Sequence, residues 1–173
     1  MLESDVALRE LILKTVTERA AEHGCTLTRA DLSHLMLPNG LEVRVIDQSR
    51  GIWNSRSMDA TLSVVSNPDG PYSDRHVAGG LFHYSYRAGS DEGDNRKLRR
   101  AFELELPIIL LQRLEPGVFV THAPVYVVDD LRDQREFLLA LDESVRFLPK
   151  DLPVDAPQRL KMSIVFRGYP SMP

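Results

Sequence analysis

Apolar residues repeat at helical spacing near the start of the chain and at strand spacing through most of the remainder. Leu8, Leu11, Ile12, Thr15, Val16 and Arg19 stand at i, i+3, i+4, i+7 positions, the repeat that lays one stripe along a helix. Gly24 suits the left-handed residue after a helix end, so the pattern predicts a helix from about Asp5 to His23. Thr28 and Asp31 have capping-box spacing, with Asp in place of the usual Glu or Gln, ahead of Leu32, Leu35 and Met36. A second short helix should therefore begin near Arg29. Two helices and a turn also match a DNA-reading pair, but Asp31, Ser33 and His34 are a poor phosphate-binding set, and such pairs are commonly packing units.

Beyond Asn39-Gly40, a tight-turn signal, the period shortens to two. Leu41, Val43 and Val45 alternate with polar partners, and Ala60 to Val65 is a short apolar strand. Leu81 to Arg87 places Phe82, Tyr84 and Tyr86 on one face and His83, Ser85 and Arg87 on the other. Asn95 to Phe102 reads as a short basic helix that ends before Pro107. Further strands are expected at Ile108 to Gln112, Gly117 to Thr121, Val125 to Val128 and Phe137 to Leu141, with Glu115-Pro116-Gly117 as a turn. Short strands in succession without βαβ alternation predict an α+β fold: a curved, largely antiparallel sheet or open barrel with helices packed outside. Residues 1–38 are then a helical segment packed on the core, 39–148 a β-rich domain, and 149–173, with Pro149, Pro153, Pro157, Pro170 and Pro173, an extended arm or linker.

Composition narrows the function more than the fold. The chain has 173 residues, 43% hydrophobic and 27% charged, which suits one domain with a sizeable core. No apolar run reaches membrane-span length and MLESDVALRE lacks a signal-peptide layout, so a cytoplasmic protein is expected. A single cysteine, Cys25, excludes an internal disulfide and any zinc site built from two thiolates. Gly79-Gly80 and Gly89 match neither nucleotide-binding fingerprint, so no ATP or NAD chemistry and no cofactor are expected. A net charge of −4 argues against a strongly basic nucleic-acid coat. The cations nonetheless cluster: Arg87, Arg96, Lys97, Arg99 and Arg100 lie close together, with Arg44, Arg50 and Arg56 upstream, while Asp129, Asp130, Asp133 and Glu136 concentrate acid elsewhere. A polarised surface is expected, although arginines also simply solvate helix and loop faces.

Residues 50–95 hold the candidate chemistry. Tyr72, Tyr84 and Tyr86 offer aromatic faces, and Asp74 offers a fixed acceptor, the set that a flat polar ring requires. Each residue has a plainer use: Tyr72 after Gly70-Pro71 covers a turn, Tyr84 and Tyr86 pack across strands, Asp74 caps a local turn, and Trp53 anchors a loop. His76 and His83 with Asp74 match no familiar metal spacing, and Asp91, Glu92 and Asp94 lack the ligands of a calcium loop.

The blocks Gly51-Ile52, Ala60 to Val65, Pro71-Tyr72-Ser73-Asp74 and Phe82-His83-Tyr84-Ser85 occur in an order that resembles the SRA (SET- and RING-associated) domain, which flips a modified cytosine out of DNA. With GIWN, GGLFHYSYRAG, GDNRKLRRA and PIILLQRLEPGVFVTHAPVYVVDD, the chain looks more closely like the SRA-like N-terminal half of bacterial modification-dependent HNH endonucleases. The resemblance implies an SRA/PUA-like fold in which Tyr72 and Tyr84 sandwich the extruded base across a cavity. Asp74 would accept from the exocyclic amine of cytosine, Ser85 would offer its backbone and hydroxyl to the ring edge, and Ser63 to Ser66 would leave room for a 5-substituent. Arg87, Arg96, Lys97, Arg99 and Arg100 become candidates for phosphate contacts, and Asn95-Arg96-Lys97, Trp53 or Arg56 for the finger that fills the vacated helix. The nuclease half of such enzymes, with paired histidines and an asparagine, has no counterpart after His122, so the chain is expected to be the specificity part rather than the catalytic part. The partners implied are duplex DNA with 5-methyl- or 5-hydroxymethylcytosine, a nuclease domain in the same protein or in trans, and a second copy in a homodimer. Two other readings fit the residues: a small hydrolase or lyase on a nucleotide, with Asp74 and His76 or His83 as acid and base, and a PUA-like RNA-binding module.

Overall fold

Local signals set the first elements. In the computed structural model, which describes residues 2–72, 74–87 and 93–142, helix α1 spans Leu2–Ala21 and is followed by Gly24 at φ +66°. After strand β1 (Thr26–Thr28), Thr28 caps α2 (Arg29–Ser33): its hydroxyl accepts from the Asp31 N–H, and its own N–H donates to the Asp31 carboxylate. That N–H is the main reason the Asp31 carboxyl lies below its ordinary range. Strands β2 (Leu35–Met36) and β3 (Glu42–Val43) pair around the expected Asn39-Gly40 turn.

The remaining strands are β4 (Ile52–Trp53), β5 (Ser63–Ser66), β6 (Arg75–Val77), β7 (Leu81–Ser85), β8 (Ile108–Glu115), β9 (Val118–Leu131) and β10 (Glu136–Ala140). Helix α3 (Asp94–Glu103) lies between β7 and β8. Among the described residues eight strands form one sheet in the order β4-β5-β8-β9-β10-β7-β6, with β1 also paired to β9. Every pair is antiparallel except β5 with β8. The fold is thus α+β with a mixed, largely antiparallel sheet that no strand ladder closes. No helix among the described residues is long and apolar enough to cross a membrane.

One strand replaces two expected ones. The strands expected at Gly117 to Thr121 and Val125 to Val128 are parts of the single strand β9, which begins at Val118 and whose first part pairs with β8 and β1 and whose last part pairs with β10. Ala123-Pro124 falls at a register shift, where Val125 faces Ile108 and His122 faces Leu110. Proline has no N–H for the ladder, so the strand bulges there instead of ending. The expected arm at 149–173 lies outside the described residues.

Alternation along β8 shows how the layers stack. Ile108 and Leu110 join one buried cluster and Ile109 and Leu111 another, so both faces are covered and the run is apolar throughout. The outer cluster lies under α1, with Ile12, Val16, Leu27 and Phe119. The inner one collects Val64 of β5, Phe82 and Tyr84 of β7, Phe137 and Leu139 of β10 and Leu98 of α3. Strands far apart in the sheet share this inner cluster, which requires the sheet to curl around it. Helix α1 is also docked by a buried ion pair. Arg9 donates to Asp5 at 2.8 Å and to the carbonyls of Thr61, Ala60 and Pro107 at 2.6, 3.0 and 3.0 Å, and Asp5 accepts the Asp59 N–H at 2.7 Å.

Candidate nucleic-acid interface

The curl brings β5 against β6 and β7, which sit at the other end of the strand order. Side chains rather than a ladder bridge that seam. The Ser66 hydroxyl, at the end of β5, donates to Asp74 Oδ2 at 2.9 Å, just before β6. The N–H of Ser85, the last residue of β7, donates to Asp74 Oδ1 at 2.8 Å. Tyr84 points into the inner cluster, fully buried, and its hydroxyl lies 3.1 Å from the carbonyls of both Gly51 and Val65. Burial drives the Tyr84 phenol well above its ordinary range, so it stays protonated and donates.

Arg87 fills the space between the tyrosines. Its guanidinium carbon is 3.7 Å from the Tyr84 ring centroid and 4.1 Å from that of Tyr72. Both phenol rings therefore pack against the one guanidinium. Its Nη1 donates to Asp74 Oδ1 at 3.1 Å and its Nη2 to Oδ2 at 2.7 Å, a bidentate pair. The same nitrogens donate to the carbonyls of Ser85 and Val65 at 3.0 and 2.9 Å. Burial works against the charge of Arg87, but the Asp74 bonds and the Tyr84 ring outweigh it and hold the guanidinium above its usual range. The structure thus brings Tyr72, Asp74, Tyr84 and Ser85 together around the Arg87 guanidinium, where an open cavity was expected. Gly51 completes the wall: a Cβ there would lie 3.1 Å from Arg87 Nε and 3.2 Å from the Tyr84 hydroxyl.

A cleft of about 500 Å³ opens beside Tyr72 and Arg87 and is flanked by Arg29, Arg50 and Arg113. Arg29 lies 5.3 Å over the Phe119 ring and donates to the Asp47 carbonyl. Arg50 reaches Asp47 at 3.4 Å and Asp94 at 3.5 Å, while Arg113 reaches Asn67 at 3.5 Å. Burial pushes the Asp47 carboxyl upward, but the N–H groups of Arg50 and Ser49 outweigh it, so it lies below the usual range. Sequence reading missed Arg29 and Arg113. Arg113 lay just past the strand expected at Ile108 to Gln112, between Gln112 and Leu114, and carried no local signal.

The other proposed contacts divide into exposed and committed groups. Arg96, Lys97 and Arg100 are exposed on α3, around a second cleft of about 690 Å³. Arg99 is committed: it donates to Asp130 at 2.6 Å and to the Tyr86 hydroxyl at 3.1 Å, and Tyr86 itself bonds Asp130. Asn95, a finger candidate that also read as the start of the basic helix, lies in the first turn of α3 and is 2% exposed. Its amide accepts the Arg87 N–H at 2.9 Å and donates to the Arg87 carbonyl at 3.0 Å, so it fixes the backbone of Arg87 instead of projecting outward. Trp53, the second finger candidate, packs on the outer cluster and donates from Nε1 to the Arg44 carbonyl at 3.0 Å, which makes it a loop anchor. Arg56 is exposed on the following loop.

The histidines do not gather on Asp74. His83 faces away from Tyr84 and meets Glu136 at 3.1 Å, where Arg75 also binds at 2.6 Å. His76 meets Gln112 at 2.9 Å, and His122 meets the same amide at 2.6 Å. His76 thus bonds Gln112 and His83 bonds Glu136, which weighs against pairing either with Asp74 in the alternative hydrolytic reading. Among the described residues no three His, Cys, Asp or Glu side chains come together as a metal would require.

No protein-family model matches the chain, and no curated protein matches it. Among solved structures it is similar to a SUVH5 SRA domain in complex with methylated CHH DNA, at 14% identity over 54% of this chain and 74% of that one, with a TM-score of 0.43. A SUVH5 SRA domain bound to fully hydroxymethylated CG DNA gives 14% identity, 54% and 75% coverage and 0.42. The modification-dependent TagI restriction endonuclease gives 19% identity over 67% of this chain and 50% of that one, with a TM-score of 0.43.

Proposed function

We propose that this chain is a reader of duplex DNA that draws a modified cytosine out of the helix and holds it between Tyr72 and Tyr84 against Asp74. The observation that carries the reading is the slot's present content. A flat cation stacks on two phenol rings and presents two N–H groups to one carboxylate, so the slot accepts a planar group with a donor edge. The exocyclic amine of cytosine is such an edge, whereas thymine carries an oxygen there and would meet the carboxylate as a second acceptor.

The energies support this use. Extrusion costs a few kcal/mol, stacking returns about 1–3 kcal/mol per base, and a hydrogen bond to the carboxylate adds roughly 1.5–3 kcal/mol. Further affinity comes from phosphates. The cleft of Arg29, Arg50 and Arg113 runs to the slot mouth, and Arg96, Lys97 and Arg100 offer a second basic face. The 5-methyl or 5-hydroxymethyl group distinguishes the target, and the module serves a nuclease domain in the same protein or in trans, as the specificity part of a modification-dependent restriction enzyme. In this reading residues 39–148 are the reader core and 1–38 brace it.

The test is a titration at fixed salt of duplexes that differ only at cytosine carbon 5, with a structured RNA as a third ligand, against wild type and Asp74→Ala. The modified duplex should bind tightest to wild type, and Asp74→Ala should lose about tenfold or more on it. Equal affinity for all duplexes rejects the modified base as ligand, preference for the RNA favours the RNA-binding reading, and an unaffected variant rejects Asp74 as the acceptor.

A further inference from the structure

Resting on the reading above, we infer that Arg87 is a resident stand-in for the base, which the incoming ring must displace, and that it thereby sets how well a base must fit before it enters. The guanidinium uses everything the slot offers: both tyrosine faces, both oxygens of Asp74, and the carbonyls of Ser85 and Val65. A base and this side chain cannot occupy the slot together. Gly51 closes one wall, with Arg87 Nε only 3.1 Å from where a Cβ would stand. Asn95 clamps the main chain of Arg87 through both its N–H and its carbonyl, so exchange involves the side chain alone, with the backbone left in place. The cleft beside Tyr72 gives the displaced guanidinium somewhere to go, next to the arginines that flank it.

Displacement divides the ligands. DNA held only through its phosphates leaves Arg87 seated and bears no cost, whereas every flipped base does. Apparent affinity for a flipped base falls by the fraction of time the slot stands vacant. A base that returns less than the guanidinium does therefore stays in the helix, so Arg87 suppresses extrusion of poorly fitting bases without touching general DNA affinity.

Refilling the slot from solution tests this without DNA. In Arg87→Ala, methylguanidinium chloride at millimolar concentration should raise the melting temperature above that in equimolar sodium chloride, and wild type, whose slot is full, should not respond. In the same variant methylguanidinium should weaken binding of a 5-methylcytosine duplex on the order of tenfold, again with no effect on wild type. No response in the variant, or an equal response in wild type, overturns the role of Arg87. Should Arg87→Ala fail to fold, nitrogen NMR of the wild-type guanidinium decides. Its bonded signals should be lost on saturation with the 5-methylcytosine duplex and kept with the unmodified one, and persistence in both overturns the inference. The two readings fail separately. A wild type without preference for the modified duplex defeats the reader function, and a variant that ignores methylguanidinium defeats the displacement step.

Discussion

At the scale of single residues, two arginines among those described, Arg9 and Arg87, are buried, each against a carboxylate. Arg87 with Asp74 makes the slot, and Arg9 with Asp5 docks α1. Neither was legible from spacing. An Asp and an Arg four apart on a helix read as a solvated surface pair, and nothing local announces that Arg9 reaches three carbonyls of the neighbouring loops. Counting strand faces from Tyr84 puts Arg87 on the opposite side, but β7 ends at Ser85, and beyond that point alternation no longer fixes a side chain's direction. Residue chemistry alone offered Tyr72, Tyr84 and Tyr86 with Asp74, and only the resemblance to SRA domains singled out Tyr72 and Tyr84 from the three. The Arg9 pair yields a prediction. Arg9→Met leaves the Asp5 carboxylate buried without its cation, and should cost about 3–5 kcal/mol in urea unfolding. Adding Asp5→Asn to that variant removes the uncompensated charge and should restore part of the stability, so a double variant as unstable as the single one would show that the charge is not the cause.

At the scale of elements, the signals that survive are those with a local mechanism. The α1 stripe, the Thr28 box and the turns at Asn39-Gly40 and Pro116-Gly117 all came from rules acting within a few residues. What failed needed tertiary knowledge. Strand β6 begins with exposed Arg75 and His76 and has no apolar pattern; it is defined by its antiparallel ladder to β7, beside which Arg75 and His83 both meet Glu136. Thr28→Ala should destabilise by about 1 kcal/mol, since it removes one half of the reciprocal cap, and thermal unfolding measures it. Helix α3 carries a functional counterpart. Its inner face packs Leu98 and Ala101, while Arg96, Lys97 and Arg100 face solvent. Replacing those three with alanine should leave stability nearly unchanged yet weaken modified and unmodified duplexes alike. The slope of log affinity against log salt should shrink by roughly one for each phosphate that is no longer neutralised. Weakening confined to the modified duplex would move α3 out of the phosphate-binding surface.

At the scale of the whole molecule, the sheet curls until β5 meets β6 and β7, and side chains alone hold that seam among the described residues. The slot is built on it, so whatever loosens the seam loosens the site. His122 of β9 and His76 of β6 meet through the Gln112 amide of β8, a bridge that spans the same gap away from the slot. Burial, aided by the neighbouring His76, holds the His122 imidazole below its ordinary value of 6.5. The unfolded chain therefore binds a proton at His122 that the folded chain refuses, and unfolding takes up protons as the medium acidifies. The contribution of a neutral His122 is full above the ordinary histidine value and is lost as pH falls below it. Urea unfolding at about pH 7.5 and about pH 5.5 brackets that window. Wild type should lose more stability between the two than His122→Gln, whose side chain does not titrate. An equal loss in both proteins would mean that the seam bears no proton-linked load at this residue, and the acid sensitivity of the fold would then have to come from other groups.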